Sequence, residues 1–262
     1  MPAIALTIAG SDPSGGAGIQ ADLKTFHQFG VYGEAVVTLI TVQNTQGVSR
    51  VQTLPPDLVI QQIDAVISDI RPGAAKTGAL GSVEIVEAVA GLAKSFRFPL
   101  VVDPVMVSKH GVPLISPEAQ QALKQKLLPH AFLVTPNTPE AEALTGMAVR
   151  SMEEMQAAGE RLVELGAKAA LIKGGHREGE PIDVLVTAGD AVIYPGRRIN
   201  TPHTHGTGCT YSAAIAANLA LAFDLNQSVQ HAKDFIQLAI EKAPALGRGQ
   251  GPVNHFVEVI AD

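Results

Sequence analysis

The chain has 262 residues, 46% hydrophobic and 17% charged, with no Trp and only 4% aromatics. Its core must therefore be built from Val, Ile, Leu and Ala, a mix suited to strands covered on both faces by helices in a single α/β domain over 1–262. A balance of 19 Lys+Arg against 25 Asp+Glu, net −6 and with no basic run, excludes a nucleic-acid footprint. One cysteine excludes an intramolecular disulfide. The absence of a basic n-region or a long apolar stretch leads to an expectation of a cytoplasmic protein with no membrane partner.

In chain order, a first strand is predicted at Ile4–Ala9, a Gly-rich turn at Gly10–Gly18 and a helix from Gly18 to Phe29. Glu34–Val42 reads as a long apolar strand and Val48–Leu54 as a short strand or flap. Pro55-Pro56-Asp57 opens a helix to about Ser68. A buried strand follows at Ala74–Thr77, then a helix capped by Ser82 that runs to about Lys94. Leu100–Val102 is a strand ending at Asp103, and Ser116-Pro117 starts another helix with Pro at its first position. Phe132–Thr135 is a strand, Thr138–Leu144 and Ser151–Leu165 are helices, and Ala169–Lys173 is a strand running into Gly174-Gly175. Ile182–Thr187 and Ala191–Tyr194 read as a hairpin around Gly189-Asp190. Helices near Cys209–Phe223 and Gln227–Lys242 precede a Gly-rich tail. Strands alternate with helices almost throughout, the pattern of a mostly parallel sheet, and ligands of such sheets bind at the carboxyl ends of the strands.

Those ends carry the candidate chemistry. His203–Cys209 reads HTHGTGC and leads into a small-residue helix. Gly206 and Gly208 let the backbone approach a ligand, and the helix N-terminus favours an anion. The alternative is an ordinary glycine-rich lead into a buried helix. Gly10–Gly18 is either a ligand-holding turn or a tight strand-to-helix connection, with Asp22 about one helical turn beyond it. Asp103 suits Mg²⁺ held through water, or a turn cap. Asn137 and Glu140 form N-x-x-E, which taken alone reads as a capping box. Lys173, Lys76 and Lys109 sit at strand ends or loops where a lysine is either solvated or aimed at an anion. The spacing of His176, His203 and His205 does not make a convincing zinc site. No Walker A loop, G-x-G-x-x-G or H-R-D motif is present.

Taken together and in order, TIAGSDPSGGAGIQADLKTF, VQNTQGV, AKTGALGS, VVDPVM, TPNTPEAEALTG, IKGGH, HGTGCTYSAAIAANLA and GQGPVNHF resemble the hydroxymethylpyrimidine and phosphomethylpyrimidine kinases of thiamine biosynthesis. These form part of the vitamin-kinase branch of the ribokinase-like superfamily, and the resemblance runs from Ile8 to Phe256. It implies a ribokinase-like three-layer sandwich and phosphorylation of 4-amino-5-hydroxymethyl-2-methylpyrimidine and then of its monophosphate. ATP would be the co-substrate, Mg²⁺ the ion and a homodimer the assembly. It also implies site residues: Gln43, Asp22 and the Gly10 backbone for the pyrimidine; Asn137, Glu140, Lys173, Thr187 and Thr207 for ATP; Asp103 and Glu140 for the metal. For catalysis it implies Lys173, the anion hole Gly206–Gly208 and Cys209, which stands where sugar kinases of the superfamily carry an aspartate. Two roles stay open for Cys209: a thiolate general base, which its place at a helix N-terminus favours, or a small residue whose backbone N–H completes the anion hole. One position departs from the family: Ala79 follows Lys76-Thr77-Gly78 where many members have Met. The competing readings are a pyridoxal-type or dual-specificity kinase, and a non-catalytic vitamin-precursor binding protein.

Overall fold

The protein's structure, a computed structural model, describes residues 2–176 and 179–259. Nine strands form one sheet, β1 (Ile4–Ser11), β2 (Tyr32–Asn44), β3 (Gly47–Thr53), β4 (Ala74–Thr77), β5 (Leu100–Val102), β6 (Leu133–Val134), β7 (Ala169–Ile172), β8 (Asp183–Thr187) and β9 (Asp190–Tyr194). Their order is β3-β2-β1-β4-β5-β6-β7-β8-β9. The six neighbouring strands β2, β1, β4, β5, β6 and β7 are mutually parallel, while β3 at one edge and β8 beside β7 reverse direction; β9, the other edge, reverses again beside β8.

The strands are apolar on both sides, so consecutive residues feed two different cores. In β1 Ala5 faces one core and Leu6 the other; Val101 and Val102 divide in the same way in β5, as do Leu171 and Ile172 in β7. One core is covered by α2 (Pro56–Asp69), α3 (Val83–Ala93), α4 (Pro117–Ala122), α5 (Thr138–Thr145) and α6 (Met152–Glu164). The opposite core is covered by α1 (Gly18–Gln28), α7 (Thr207–Ala220) and α8 (Leu225–Glu241). This is the three-layer architecture expected. Helix α7 is buried from Thr210 to Leu219, which explains its Ala-rich composition: it packs against α1, α8 and the sheet at once.

The chain leaves β1 to form β2 on one side of it and then returns to form β4 on the other. The carboxyl ends of β1 and β4 therefore flank a topological switch point, where open α/β sheets bind ligands. Among the described residues, no helix is long and apolar enough to cross a membrane.

Candidate active site

A cavity of about 990 Å³ opens over these carboxyl ends. One lobe, at the switch point, is lined by Gly10, Ser11, Asp12, Leu39, Thr41, Gln43, Gly78 and Ala79. The other runs past Asn137, Lys173 and His176 to Asp183, Ile199 and Ile236. Between them lie Asp103, Glu140 and the start of α7.

The junction is built from charge. Asp103, just past the end of β5 and 2% exposed, accepts hydrogen bonds from Lys173 Nζ at 3.0 Å and Thr135 Oγ1 at 3.2 Å on Oδ1, and from Ser212 Oγ at 3.3 Å on Oδ2. Burial would raise its carboxyl, but the charges of Lys173 and Lys76 and the hydrogen bonds from Lys173 and Thr135 outweigh it and hold the pKa below the ordinary value. Burial in turn would strip Lys173 of its proton; Asp103 and Glu140 reverse this and raise its pKa. Glu140 is pushed up to about 7, by burial first and also by Asp103, against the pull of Lys173 and of the Asn137 and Met106 N–H groups.

Asn137 caps α5 with its side chain, and Glu140 returns a bond to the Asn137 N–H at 2.8 Å. The capping reading of this pair is thus correct as local structure, and the same two residues line the cavity. The cap fixes where both side chains stand at the cavity wall.

Gly206, in a left-handed conformation at φ +79°, is the N-cap of α7. A side chain there would strike the Gly16 carbonyl, so the helix start lies directly against the Gly10–Gly18 turn. A Cβ on Gly208 would sit 3.4 Å from Lys173 Nζ and 3.9 Å from Asp103 Oδ2. The first-turn N–H groups of α7 and the Lys173 ammonium consequently converge on one small volume, the arrangement that neutralises a phosphoryl group. Thr207, the first residue of the helix, also lines the cavity and donates its hydroxyl to Thr204 O at 2.8 Å.

The turn after β1 is organised by Asp12, 2% exposed. Its carboxylate accepts from Ser14 N and Oγ, from the N–H groups of Gly16 and Ala17, and from His205 Nε2 at 2.8 Å. Asp12 and His205 thereby clamp the first cavity loop to the segment preceding α7.

The profile of the family described as phosphomethylpyrimidine kinase matches residues 12–254. The chain belongs to this family. Its phosphotransferase activity and use of ATP as co-substrate follow from that membership. The hydroxymethylpyrimidine/phosphomethylpyrimidine kinase of Haemophilus influenzae is 47% identical over 257 residues, covering 96% of this chain and 96% of the relative. Among solved structures, an ADP complex of Bacillus subtilis pyridoxal kinase superposes with a TM-score of 0.91 at 38% identity, covering 97% of this chain and 98% of that one. The phosphomethylpyrimidine kinase of Clostridium difficile superposes at 0.81 with 44% identity, covering 90% and 99% respectively.

Set within the phosphomethylpyrimidine kinase fold, Gly10, Gln43, Asp103, Asn137, Glu140, Lys173, Thr207, Gly206, Gly208 and Cys209 all line the one cavity. Two expectations need correction, and one alternative is narrowed. Asp22 does not line it: the side chain is fully buried beneath the floor, 2.8 Å from Lys76 Nζ and accepting from Thr7 Oγ1 at 2.6 Å. It is the counter-ion that keeps the buried Lys76 charged. Thr187 pairs with Ala169 at the amino end of β7, away from the carboxyl ends, because β8 runs antiparallel to β7; the end of β8 that reaches the cavity is its first residue, Asp183. Of the two roles open to Cys209, its surroundings oppose the thiolate. Burial, with the charges of Asp22 and Asp103, outweighs Lys76 and the Gly18 N–H and pushes its thiol up to about 11.

The sequence reading weighed His205 only as a metal ligand, took Asp12 only as part of a polar strand end, and passed over Asp183. The Asp-Pro-Ser-Gly-Gly run at Asp12 did carry a signal, since Asp bonding two residues ahead makes an Asx turn. Nothing local marks Asp183 and Lys233, which meet at 2.6 Å across the fold.

Proposed function

We propose that this chain transfers the γ-phosphoryl group of ATP to the hydroxymethyl oxygen of 4-amino-5-hydroxymethyl-2-methylpyrimidine, and then a second phosphoryl group to the monophosphate, in thiamine biosynthesis. The single observation that carries this reading is the convergence, in one cavity, of the Gln43 lobe, the α7 N-terminus and the Lys173–Asp103 pair. Phosphoryl transfer needs positioning and charge neutralisation more than covalent help. Gln43 and the Gly10 backbone hold the ring, and its hydroxymethyl group points at the start of α7. Lys173 and the N–H groups around Gly208 balance the charge on the transferring group. Asn137 and Thr207 line the path of the nucleotide's phosphates. A phosphate acceptor in the second step is already anionic, and the same cradle serves it.

Among the described residues no three carboxylate, histidine or cysteine ligands cluster. A preformed metal cage is therefore absent from them, but Asp103, its pKa held below the ordinary value, beside Glu140 fits an ion that arrives with nucleotide oxygens and water. Asp103 and Glu140 would hold that Mg²⁺, which when bound would offset charge on the phosphates. We also assign the chain to the cytoplasm, where ATP is supplied, and to a homodimer. The dimer is supported by Ile40 and Val42, exposed by 47% and 53% on β2.

The test is incubation of the purified chain with the pyrimidine alcohol and ATP-Mg²⁺, followed by mass identification of products. Mono- and diphosphate are expected. ATP-independent binding with no product would leave a precursor-binding protein instead.

A further inference from the structure

Residues 246–252, the glycine-rich tail after α8, do not line the cavity. They are tied instead to two segments that lead into it. One is the tip of the β2–β3 hairpin, just past Gln43. Gln250 N donates to Thr45 O at 2.8 Å, and Gly249 N donates to Thr45 Oγ1 at 3.3 Å. The other is the segment that runs into α7. Gly251 N donates to His203 Nδ1 at 3.1 Å, His205 N to Gly251 O at 3.0 Å and Val253 N to His205 O at 3.3 Å. This second anchor is firm, because His205 is clamped to Asp12 and Asn254 N donates to Ala239 O of α8.

The hairpin tip is the end that needs holding. β3 is an edge strand with β2 as its sole neighbour in the sheet. Its register shifts at the ligand end: Val42 faces Arg50, but Gln43 faces Val48. Ser49 is thus the extra residue of a bulge, a device that bends a strand and re-aims its side chains. Beyond the bulge only Gln43–Val48 and Asn44–Gly47 remain paired before the turn. The tail is shaped to close on that tip. A Cβ on Gly249 would strike the Thr45 carbonyl, and Gly247, at φ +84°, lies directly against the Thr45 side chain.

We propose that this tail is a strap that positions the acceptor ring: by tying Thr45 to the His203–His205 segment, it sets the separation between the Gln43 end of β2 and the anion cradle at the start of α7. The inference rests on the pyrimidine-kinase reading and on Gln43 as a ring contact. Thr45 and Gly249 act through Gln43 and are positioning residues, since neither lines the cavity. In-line transfer needs the hydroxymethyl oxygen within about 3–3.5 Å of the phosphorus, so a loose hairpin tip misplaces the acceptor. Apparent affinity for the ring then falls with the fraction of molecules whose tip is in place. The nucleotide side does not share this dependence. Asn137, Lys173 and Asp183 are placed by β6, β7 and β8.

The test compares KM for the pyrimidine alcohol with KM for ATP in the full chain and three variants. Gly249 lies outside the left-handed region, and an added methyl meets only Thr45 and Gln46, so Gly249→Ala pushes the strap off the tip. Thr45→Gly removes the hydroxyl that Gly249 N reaches and loosens the same turn without adding bulk. Both should raise the pyrimidine KM by about tenfold or more and leave the ATP KM within about twofold of native. Thr45→Ser keeps the hydroxyl and should stay within about threefold of native for both substrates. Native pyrimidine KM in Gly249→Ala and Thr45→Gly overturns the proposal while the kinase reading stands. An equal rise in both KM values assigns the tail to the stability of the whole fold and also overturns it. So does a Thr45→Ser variant as weak as Thr45→Gly, which removes the hydroxyl contact from the argument. Native chain that forms no phosphorylated pyrimidine overturns the proposal together with the kinase reading.

Discussion

Cys209 shows how far the environment of one atom can override its position. Its place in the first turn of α7 favours a thiolate through the helix dipole. In the structure Cys209 is half-buried on the cavity wall, where desolvation and the charges of Asp22 and Asp103 raise the thiol to about 11. What remains available to the resting enzyme is its backbone N–H in the anion-binding turn. Cys209→Ala keeps that donor. The expected outcome is a loss of less than about tenfold in kcat, similar for both phosphorylations, against the 10²–10⁴-fold that removal of a general base brings. The pH profile checks the same point. A base with so high a pKa would make the first step accelerate with each added pH unit above neutrality, so a profile that stays flat there matches the backbone role. A loss confined to the first step, with that rising profile, would restore the sulfur as base. The sequence shows the residue and its helix; it does not show the depth of burial or the two carboxylates that arrive from β5 and α1.

At the scale of elements, the strand ends were legible because apolar runs stop abruptly at Gly10, Gln43, Asp103, Asn137 and Lys173, and those stops all line the cavity. Direction was less legible. The hairpin at Gly189-Asp190 was visible, yet nothing in Ile182–Thr187 says which sheet edge each end occupies; that follows from the pairing of β8 with β7, and it carries Thr187 away from the site. The start of α7 offers the sharpest test of an element's role. Gly208 has an ordinary helical backbone, and an added Cβ would meet Lys173 Nζ only at contact distance, 3.4 Å. Gly208→Ala should therefore fold with an unchanged melting temperature. It should also lower kcat by on the order of 10²–10³-fold, the range for losing one preorganised anion donor, because the methyl group fills the space meant for the phosphoryl oxygens. A variant with native kcat would move the anion site elsewhere; one with a depressed melting temperature would show the glycine to be structural.

For the whole molecule, the three-layer form follows from composition and alternation. The homodimer does not follow from either, since it depends on which surfaces remain exposed. Light scattering should give a mass near twice 27.3 kDa. Ile40→Asp with Val42→Asp should reduce it to that of one chain if β2 forms the seam. A native chain already at the single mass would remove the dimer, and a double variant that stays paired would place the seam elsewhere.

The clasp between Asp12 and His205 joins positions 193 apart in the chain. A ribosome has threaded out most of the polypeptide before the second partner exists, and Gln28 likewise waits for the Val257 carbonyl. Contacts of such separation form late and slow the search for the native state. The nascent chain therefore holds an open β1 turn, with neither its anchor nor its anion cradle, until His205 and the start of α7 have emerged. Recovery of activity after dilution from denaturant should therefore trail the recovery of helical signal.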